Sequence, residues 1–261
     1  MNLQNKNVVI TGASSGIGEK VAMKVAEHGA RPILIARSYE KLLELKNTIL
    51  ESTGMDALCY SLDVSDKEQV EKVFAEIQQE LEIDILLNNA GFGVFDLFEE
   101  ASTEDIEQMF SVNVLGLMAC TKAVLPSMKK RNAGHIINIA SQAGKFATPK
   151  SSVYAATKHA VLGFTNSLRM ELKRTNISVS AVNPGPIQTN FFTIADKSGN
   201  YVKNVKHYML QADDVADKIV ALMNHPKREL NLPKWMNVGS MLYQVFPGMT
   251  EKVIGRFIDK K

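Results

Sequence analysis

The stretch that decides the fold lies near the start of the chain and reads Thr11-Gly12-Ala13-Ser14-Ser15-Gly16-Ile17-Gly18. It follows an apolar run at residues 7–11. It leads into a predicted helix at residues 17–27, where apolar side chains recur at helical spacing. A glycine-rich turn between a strand and a helix lets backbone N–H groups approach a pyrophosphate, whose charge the helix N-terminus favours. An ordinary strand-to-helix turn is the alternative, but a second predicted strand follows the helix and favours dinucleotide binding.

Outward from this loop, short apolar runs alternate with longer segments of helical period. We predict strands at residues 7–11, 32–36, 58–62, 84–87, 135–140 and 177–182, and helices at 17–27, 39–50, 66–81, 103–130, 151–174 and 212–225. The alternation predicts an α/β fold with a doubly wound, Rossmann-like parallel sheet. We expect a single domain, with residues 1–232 as its catalytic part, a substrate flap near 190–211 and an amphipathic helical extension at 233–261.

Composition excludes several classes of protein. The chain has 261 residues, of which 45% are hydrophobic and 22% charged, so it can bury a full core and is not mainly disordered. A net charge of +2 gives no sign of nucleic-acid binding. Two cysteines and five scattered histidines offer neither a disulfide framework nor metal-ligand spacing. With no secretory segment and no uninterrupted apolar run of about 18 residues, we expect a cytoplasmic protein without a membrane span.

The glycine spacing resembles that of the short-chain dehydrogenase/reductase family, usually written T-G-x-x-x-G-x-G. The resemblance continues in order through Asn88-Asn89-Ala90-Gly91, Asn113, Ser141, Tyr154-Ala155-Ala156-Thr157-Lys158 and Pro184-Gly185. It covers about residues 5–232. It implies an oxidoreductase that interconverts a carbonyl and an alcohol with a nicotinamide dinucleotide.

The residue after the second predicted strand bears on the choice of cofactor. An acidic residue there binds the ribose of NAD, whereas a basic residue accommodates the 2′-phosphate of NADP. Arg37 stands at this position, so we predict that NADP(H) is preferred and NAD(H) possible. A solvated arginine at a helix start is the alternative, and Ser14-Ser15 supply no second cation where NADP-preferring members of the family often carry one.

The resemblance implies further cofactor contacts along the chain. These are Asp63 and Val64 at the adenine, Asn89 at the ribose, Gly91 beside the cofactor, and Ile187 and Thr189 at the nicotinamide carboxamide. Asp63 has an alternative role as an N-cap partner of the helix that begins near residue 66.

Tyr154 and Lys158 are four residues apart in a predicted helix and therefore share one face. Hydride reduction of a carbonyl leaves negative charge on oxygen and requires a proton donor, and a nearby ammonium lowers the pKa of a phenol. We therefore expect Tyr154 to be the general acid or base and Ser141 to orient the substrate oxygen. The resemblance implies that Lys158 also binds the nicotinamide ribose and that Asn113 supports a proton relay.

The resemblance implies that substrate-binding residues follow Ser141 and lie in the flap. The candidates are Ser141, Gln142, Phe146, Tyr154, Phe191 and Phe192. Their apolar bias favours a hydrophobic carbonyl or alcohol. A dinucleotide-binding regulator without turnover is the competing hypothesis, which the intact set of Ser141, Tyr154 and Lys158 disfavours.

Two apolar surfaces predict partners. The helices at 103–130 and 151–174 carry apolar residues on more than one face, which predicts a homo-oligomer; examples are Val112, Leu115, Met118, Val124, Val161, Phe164 and Leu168. The resemblance implies that these helices pair between subunits in a homodimer or homotetramer. Residues 233–261 hold two apolar clusters at helical spacing with interspersed basic residues. Packing over the cleft or a neighbouring subunit is one interpretation of the extension, and peripheral attachment to a membrane is the other.

Overall fold

The computed structural model describes residues 3–196 and 199–258, with side chains up to residue 252. Its strands are β1 (Asn7–Thr11), β2 (Arg31–Ala36), β3 (Leu58–Ser61), β4 (Ile85–Asn88), β5 (Gly134–Ile139), β6 (Ile177–Pro184), β7 (Ile187–Gln188), β8 (Leu210–Gln211) and β9 (Glu229–Leu232). Its α-helices are α1 (Gly16–Glu27), α2 (Tyr39–Thr53), α3 (Lys67–Glu80), α4 (Thr103–Phe110), α5 (Leu117–Arg131), α6 (Ser152–Glu171), α7 (Phe191–Ala195), α8 (Asn200–Val205), α9 (Ala212–Asn224), α10 (Lys234–Val245) and α11 (Pro247–Ile258).

Seven strands form one parallel sheet in the order β3-β2-β1-β4-β5-β6-β9. The strand order reverses between β1 and β4, and ligands of doubly wound folds bind at such a reversal, outside the carboxyl ends of the strands. The predicted Rossmann-like fold is confirmed. Strand β9 is not predicted from the sequence, because Glu229-Leu230-Asn231-Leu232 is short and alternates polar with apolar residues at an edge of the sheet.

Helices cover both faces of the sheet and bury two separate cores. On one face α1, α2 and α9 contribute Val21, Ile49 and Ile219. On the other face α3, α5 and α6 contribute Phe74, Val124 and Leu168. Full burial of each such side chain stabilises the fold by about 1.5–3 kcal/mol. The two cores hold the carboxyl ends of the strands in fixed positions.

The helix predicted at 103–130 is interrupted, and not at Pro126. A π-helical turn at Ser111–Gly116 separates α4 from α5, while Pro126 lies within α5. Gly116 packs against the carbonyl oxygen of Val64, where a Cβ would come within 2.6 Å. A π-turn inserts one extra residue into a helix and changes the direction of the side chains around it. Here it directs Asn113 inward.

By length and composition alone, the helical stretch Thr103–Arg131 could cross a membrane. This stretch is not expected from the sequence, in which no apolar run of about 18 residues is uninterrupted. Nearly half of its apolar window is buried inside the fold, including Cys120, Val124 and Met128. Core helices pass the same test, so the finding is weak evidence for a membrane span.

The same helices correct the predicted oligomer surface. Val124, Val161 and Leu168 are buried in the chain's own core, so they are not free to contact a second subunit. Leu115 is 61% exposed. Met118 and Phe164 are half-buried, and Val112 lines a cleft instead.

The described residues of the flap and of the extension form regular secondary structure. Within residues 190–211, α7 and α8 precede β8, which pairs with β7. The extension forms α10 and α11, as its spacing predicts. The side chains of its second apolar cluster, at residues 253–258, and the basic residues Arg256, Lys260 and Lys261 lie outside the described part of the chain.

Candidate active site

A cleft of about 900 Å³ opens at the carboxyl ends of the strands. Of the residues predicted to bind cofactor or substrate or to act in catalysis, all but Gly18 and Asn113 line it. The cleft also takes in residues that the sequence analysis missed: Lys41, Phe95, Tyr201, Tyr208 and Met236. A volume of this size suits a large organic ligand.

The glycine loop lies tightly against the end of β4. Gly12 has φ +66°, and a Cβ there would come within 2.8 Å of the Ala90 backbone. A Cβ on Gly18 would collide with the carbonyl oxygen of Gly12, so this close packing requires glycine at position 18. The Asn89 side-chain amide donates hydrogen bonds to the carbonyl oxygens of Thr11 (2.9 Å) and Gly12 (3.1 Å). Asn89 therefore holds the loop in place as well as lining the cleft.

The loop leaves the N-terminus of α1 open to the cleft. Ser14, Ser15, Gly16 and Ile17 line it, and Ser15 makes no capping hydrogen bond with the first turn of the helix. Backbone N–H groups at such an end are donors for an anion, which the helix dipole also favours. The geometry fits the pyrophosphate of a dinucleotide.

Arg37 and Asp63 meet at one end of the cleft. A guanidinium nitrogen of Arg37 lies 4.0 Å from a carboxylate oxygen of Asp63, and the Arg37 side chain is 78% exposed. The alternative role of Asp63 as helix cap is wrong, because Asp66 caps α3 and Asp63 accepts hydrogen bonds from Ser65. Lys41, one helical turn after Arg37, brings a second cation to this end.

Tyr154 and Lys158 project from α6 into the cleft, as their spacing predicts. The Lys158 ammonium lies 5.7 Å from the Tyr154 ring centre and donates a 2.9 Å hydrogen bond to the carbonyl oxygen of Ile139. Burial raises the pKa of the Tyr154 phenol to about 12, although its hydrogen bond with Ser141 acts to lower that pKa. Burial also lowers the pKa of the Lys158 ammonium to about 8. Ser141, Tyr154 and Lys158 thus converge on one point.

Asn113 lies behind this group of residues. Its side chain accepts a hydrogen bond from the Phe92 N–H and donates to the Phe92 carbonyl oxygen and the Thr157 hydroxyl. A Cβ on Gly91 would come within 2.9 Å of the Asn113 side-chain oxygen and 3.7 Å of the Lys158 ammonium nitrogen. Glycine at position 91 therefore keeps the backbone close to both groups, and Asn113 braces the wall of the cleft.

An aromatic cluster lines the cleft beside Tyr154. Phe95 packs edge-on against Tyr154, Phe191 and Tyr201 at centroid distances of 5.7, 6.3 and 5.1 Å. Phe192 packs against Phe191 at 5.3 Å. Phe191 and Phe192 were expected here. Phe95 could have been found from its place shortly after Asn88-Asn89-Ala90-Gly91, but no pattern in the flap singles out Tyr201.

Two further predicted substrate-binding residues, Gln142 and Phe146, follow Ser141 in the chain. Phe146 lines the cleft. Gln142 also borders it but is almost fully buried, and its amide donates a 2.9 Å hydrogen bond to the Asn183 carbonyl oxygen. Nearby, the Lys145 ammonium contacts Glu229 and donates to Asn231 and Asn237. This polar network ties the turn after Ser141 to β9 and α10.

No group of three or more His, Cys, Asp or Glu side chains within residues 3–196 and 199–252 is placed to hold a metal ion.

Comparison with known proteins gives matches over most of the chain. The sequence model of the short chain dehydrogenase family matches residues 6–198. An NADP-dependent 3-hydroxy acid dehydrogenase from Schizosaccharomyces pombe is 35% identical over 84% of this chain and 86% of its own. An alcohol dehydrogenase from Thermococcus sibiricus complexed with 5-hydroxy-NADP is 29% identical, with TM-score 0.79 over 88% of this chain and 96% of its own. A short-chain dehydrogenase/reductase from Burkholderia phymatum in complex with NAD is 25% identical, with TM-score 0.87 over 95% of this chain and 96% of its own.

Proposed function

Because this chain belongs to the short-chain dehydrogenase/reductase family, we propose that it is an NADP(H)-dependent oxidoreductase that interconverts a carbonyl and an alcohol. The observation that carries the proposal is the convergence of Ser141, Tyr154 and Lys158 inside a cleft that also contains the glycine loop. A protein that only binds a dinucleotide has no need of a buried phenol beside a buried ammonium. The regulator hypothesis is therefore the weaker of the two.

In the reductive direction, Tyr154 donates its proton to the carbonyl oxygen. Its raised pKa keeps the phenol protonated at neutral pH, which an acid requires. The Ser141 hydroxyl donates a hydrogen bond to the same oxygen as negative charge develops there. The bound dinucleotide supplies the hydride.

Lys158 serves the proton transfer through its charge. When Tyr154 gives up its proton, the phenolate is stabilised by the ammonium 5.7 Å from its ring centre. The same ammonium lies close to the backbone of Gly91, where ribose hydroxyls of the cofactor would accept its hydrogen bonds. Asn113 keeps the wall behind Lys158 in position through Phe92 and Thr157.

The cofactor-binding residues follow from the same geometry. The open N-terminus of α1 would hold the pyrophosphate, and Arg37 with Lys41 would hold the 2′-phosphate of NADP. Asp63 and Val64 would border the adenine, and Ile187 and Thr189 the nicotinamide end. The matched proteins with NADP in their names support this preference, and the Burkholderia phymatum structure with NAD keeps NAD(H) as a second cofactor.

A hydrophobic substrate suits the aromatic cluster formed by Phe95, Phe191, Phe192 and Tyr201 beside Tyr154. Its rings offer apolar area next to the proton donor. They carry no charged group to bind a carboxylate and only one hydroxyl to bind a sugar. We also propose a homo-oligomer in the cytoplasm.

The test is oxidation of NADPH against a panel of carbonyl compounds, from short aldehydes to long-chain and polycyclic ketones, with Ser141→Ala measured in parallel. We expect turnover that rises with the apolar size of the carbonyl and falls strongly in the variant. Tight NADPH binding without turnover of any compound would favour the regulator instead.

A further inference from the structure

The outer side of α10 exposes a run of large apolar side chains at the mouth of the cleft. Each is 48–66% exposed: Trp235, Val238, Met241, Leu242, Val245 and Phe246. Soluble monomers rarely expose an apolar patch of this extent without a partner for it. We call these six residues the α10 apolar face.

The α10 apolar face is continuous with the cleft. Met236 lines the cleft from the inner side of the same helix. Tyr208, in the flap, also lines the cleft, and its ring packs edge-on against the Trp235 ring at 6.0 Å. Flap and helix therefore form one rim around the entrance.

The inner side of α10 is already held by the rest of the fold. Met236 packs against Gly185, where a Cβ would come within 2.7 Å of its sulfur. Asn237 accepts a hydrogen bond from Lys145, and Ser240 is buried. Packing over the cleft thus accounts for the inner side only, and the outer side needs another explanation.

The charge around the rim selects the partner. Residues 199–210 and 233–250 contain no Asp or Glu, whereas Lys203, Lys206 and Lys234 are exposed there. The exposed carboxylate that follows, Glu251, accepts a hydrogen bond from the Tyr243 hydroxyl of α10. A second copy of the chain on this surface would bring like charges together, which opposes association. An anionic phospholipid surface attracts exposed lysines, and a Trp-containing apolar helix face suits its headgroup boundary.

We propose that the α10 apolar face, together with flap residues 199–210, docks the mouth of the cleft onto an anionic phospholipid bilayer. The apolar side chains enter the headgroup boundary, and Lys203, Lys206 and Lys234 lie over the phosphates. The docking does not depend on the reaction that the cleft performs, so binding and turnover are measured separately.

Trp235 is the single tryptophan of the chain and lies on the proposed surface, so its fluorescence reports docking directly. The full-length protein is mixed with vesicles of phosphatidylcholine and phosphatidylglycerol, or of phosphatidylcholine alone. We expect a blue shift of Trp235 emission and cosedimentation with the anionic vesicles, both lost at high salt. Unchanged emission and no cosedimentation at low salt would overturn the proposal.

Substitutions on the proposed surface test whether it binds lipid or a second copy of the chain. Lys203→Glu and Lys206→Glu should each weaken vesicle binding about fivefold or more, and Val238→Glu should abolish it. Lys72→Glu on α3 and Leu50→Glu on α2 are the matched controls and should bind as the wild type does. If instead Val238→Glu only splits an oligomer and the wild type ignores vesicles, the surface is a contact between copies and the proposal is wrong.

Turnover of a water-soluble carbonyl should be unchanged in Lys203→Glu and Val238→Glu, which shows that these variants are folded. Vesicle binding by a protein without turnover would leave the docking proposal intact and count against the proposed reaction alone.

Discussion

The Lys158 ammonium lies 5.7 Å from the centre of the Tyr154 ring. Burial favours the neutral form of both groups, so it raises the pKa of the Tyr154 phenol and lowers the pKa of the Lys158 ammonium. At neutral pH the phenol therefore keeps its proton, while the ammonium, with a pKa of about 8, is still mostly charged. This arrangement pairs an available proton with a charge that stabilises the phenolate left behind. It also makes the charge of Lys158 sensitive to pH in the physiological range.

We expect kcat/KM for carbonyl reduction to be level below pH 7 and to fall as the pH rises through about 8. Lys158 loses its charge there, and the phenolate loses its stabilisation. The measurement is the pH profile of reduction with a fixed carbonyl. Lys158→Met should be slow at every pH and lack this fall, whereas Lys122→Met, an exposed residue of α5, should retain it. A profile that is level through pH 10 in the wild type would contradict this role for Lys158.

Arg37 should set the preference for NADPH. Arg37→Asp should lower kcat/KM for NADPH by about 10- to 100-fold, because a charge-assisted hydrogen bond to phosphate is lost, and should raise it for NADH. Arg31→Asp, at the opposite end of β2, is the control and should leave the ratio of the two cofactors unchanged. Equal kcat/KM for both cofactors in the wild type would refute the preference.

Lys41 should make a smaller contribution to the same phosphate site. We expect Lys41→Ala to weaken NADPH binding several-fold and to leave NADH binding unchanged, because only NADPH carries the phosphate. Titration of both cofactors by fluorescence measures the two affinities. An equal loss for NADPH and NADH would show that Lys41 acts elsewhere in the site.

His135 should make stability depend on pH. It is fully buried in β5 beside Ser180, and burial lowers its pKa to about 4 from an ordinary 6.5. At pH values between 4 and 6.5, His135 binds a proton in the unfolded chain but not in the folded chain. The free energy of unfolding should therefore fall as the pH drops from 6.5 to 4, by roughly 3 kcal/mol at most.

Urea unfolding at several pH values measures this dependence. In His135→Gln the slope between pH 6.5 and pH 4 should be shallower than in the wild type, whatever the variant's overall stability. His225→Gln, at an exposed position, should keep the wild-type slope. Identical slopes in His135→Gln and the wild type would exclude His135 as the source.

The proposed oligomer should depend on Leu115, which is 61% exposed in the π-helical turn. Leu115→Glu should shift the sedimentation of the protein to a smaller species, because a charge in an apolar contact has no partner there. Leu43→Glu on α2 is the control and should not change the sedimentation. A wild type that sediments only as a monomer of 28.8 kDa at micromolar concentration would contradict the oligomer.

The sheet and most of the site could be predicted from sequence because their signals are local. The glycine loop follows from the spacing of Gly12, Gly16 and Gly18, and the shared face of Tyr154 and Lys158 follows from helical geometry. The features that were missed depend on tertiary packing. Beside the π-turn at Asn113, Gly116 packs closely on Val64, and no periodicity in the sequence reports such packing.

Residue spacing does not show which side chains are buried, and burial determines both the oligomer surface and the pKa of Tyr154. Val161 and Leu168 share an apolar stripe that suits either an interface or a core, and only the packed fold distinguishes the two. The raised pKa of Tyr154 is a consequence of burial, whereas the helical spacing of Tyr154 and Lys158 predicts only the opposing effect of the ammonium.

The central claim is that Tyr154 transfers the proton. Its most direct test compares Tyr154→Phe with the wild type in a single turnover of bound NADPH with a saturating carbonyl. We expect the rate of NADPH oxidation to fall by about a hundredfold to ten-thousandfold while the dissociation constant of NADPH changes less than about twofold, because only the proton donor is removed. Wild-type rates in Tyr154→Phe would contradict the account.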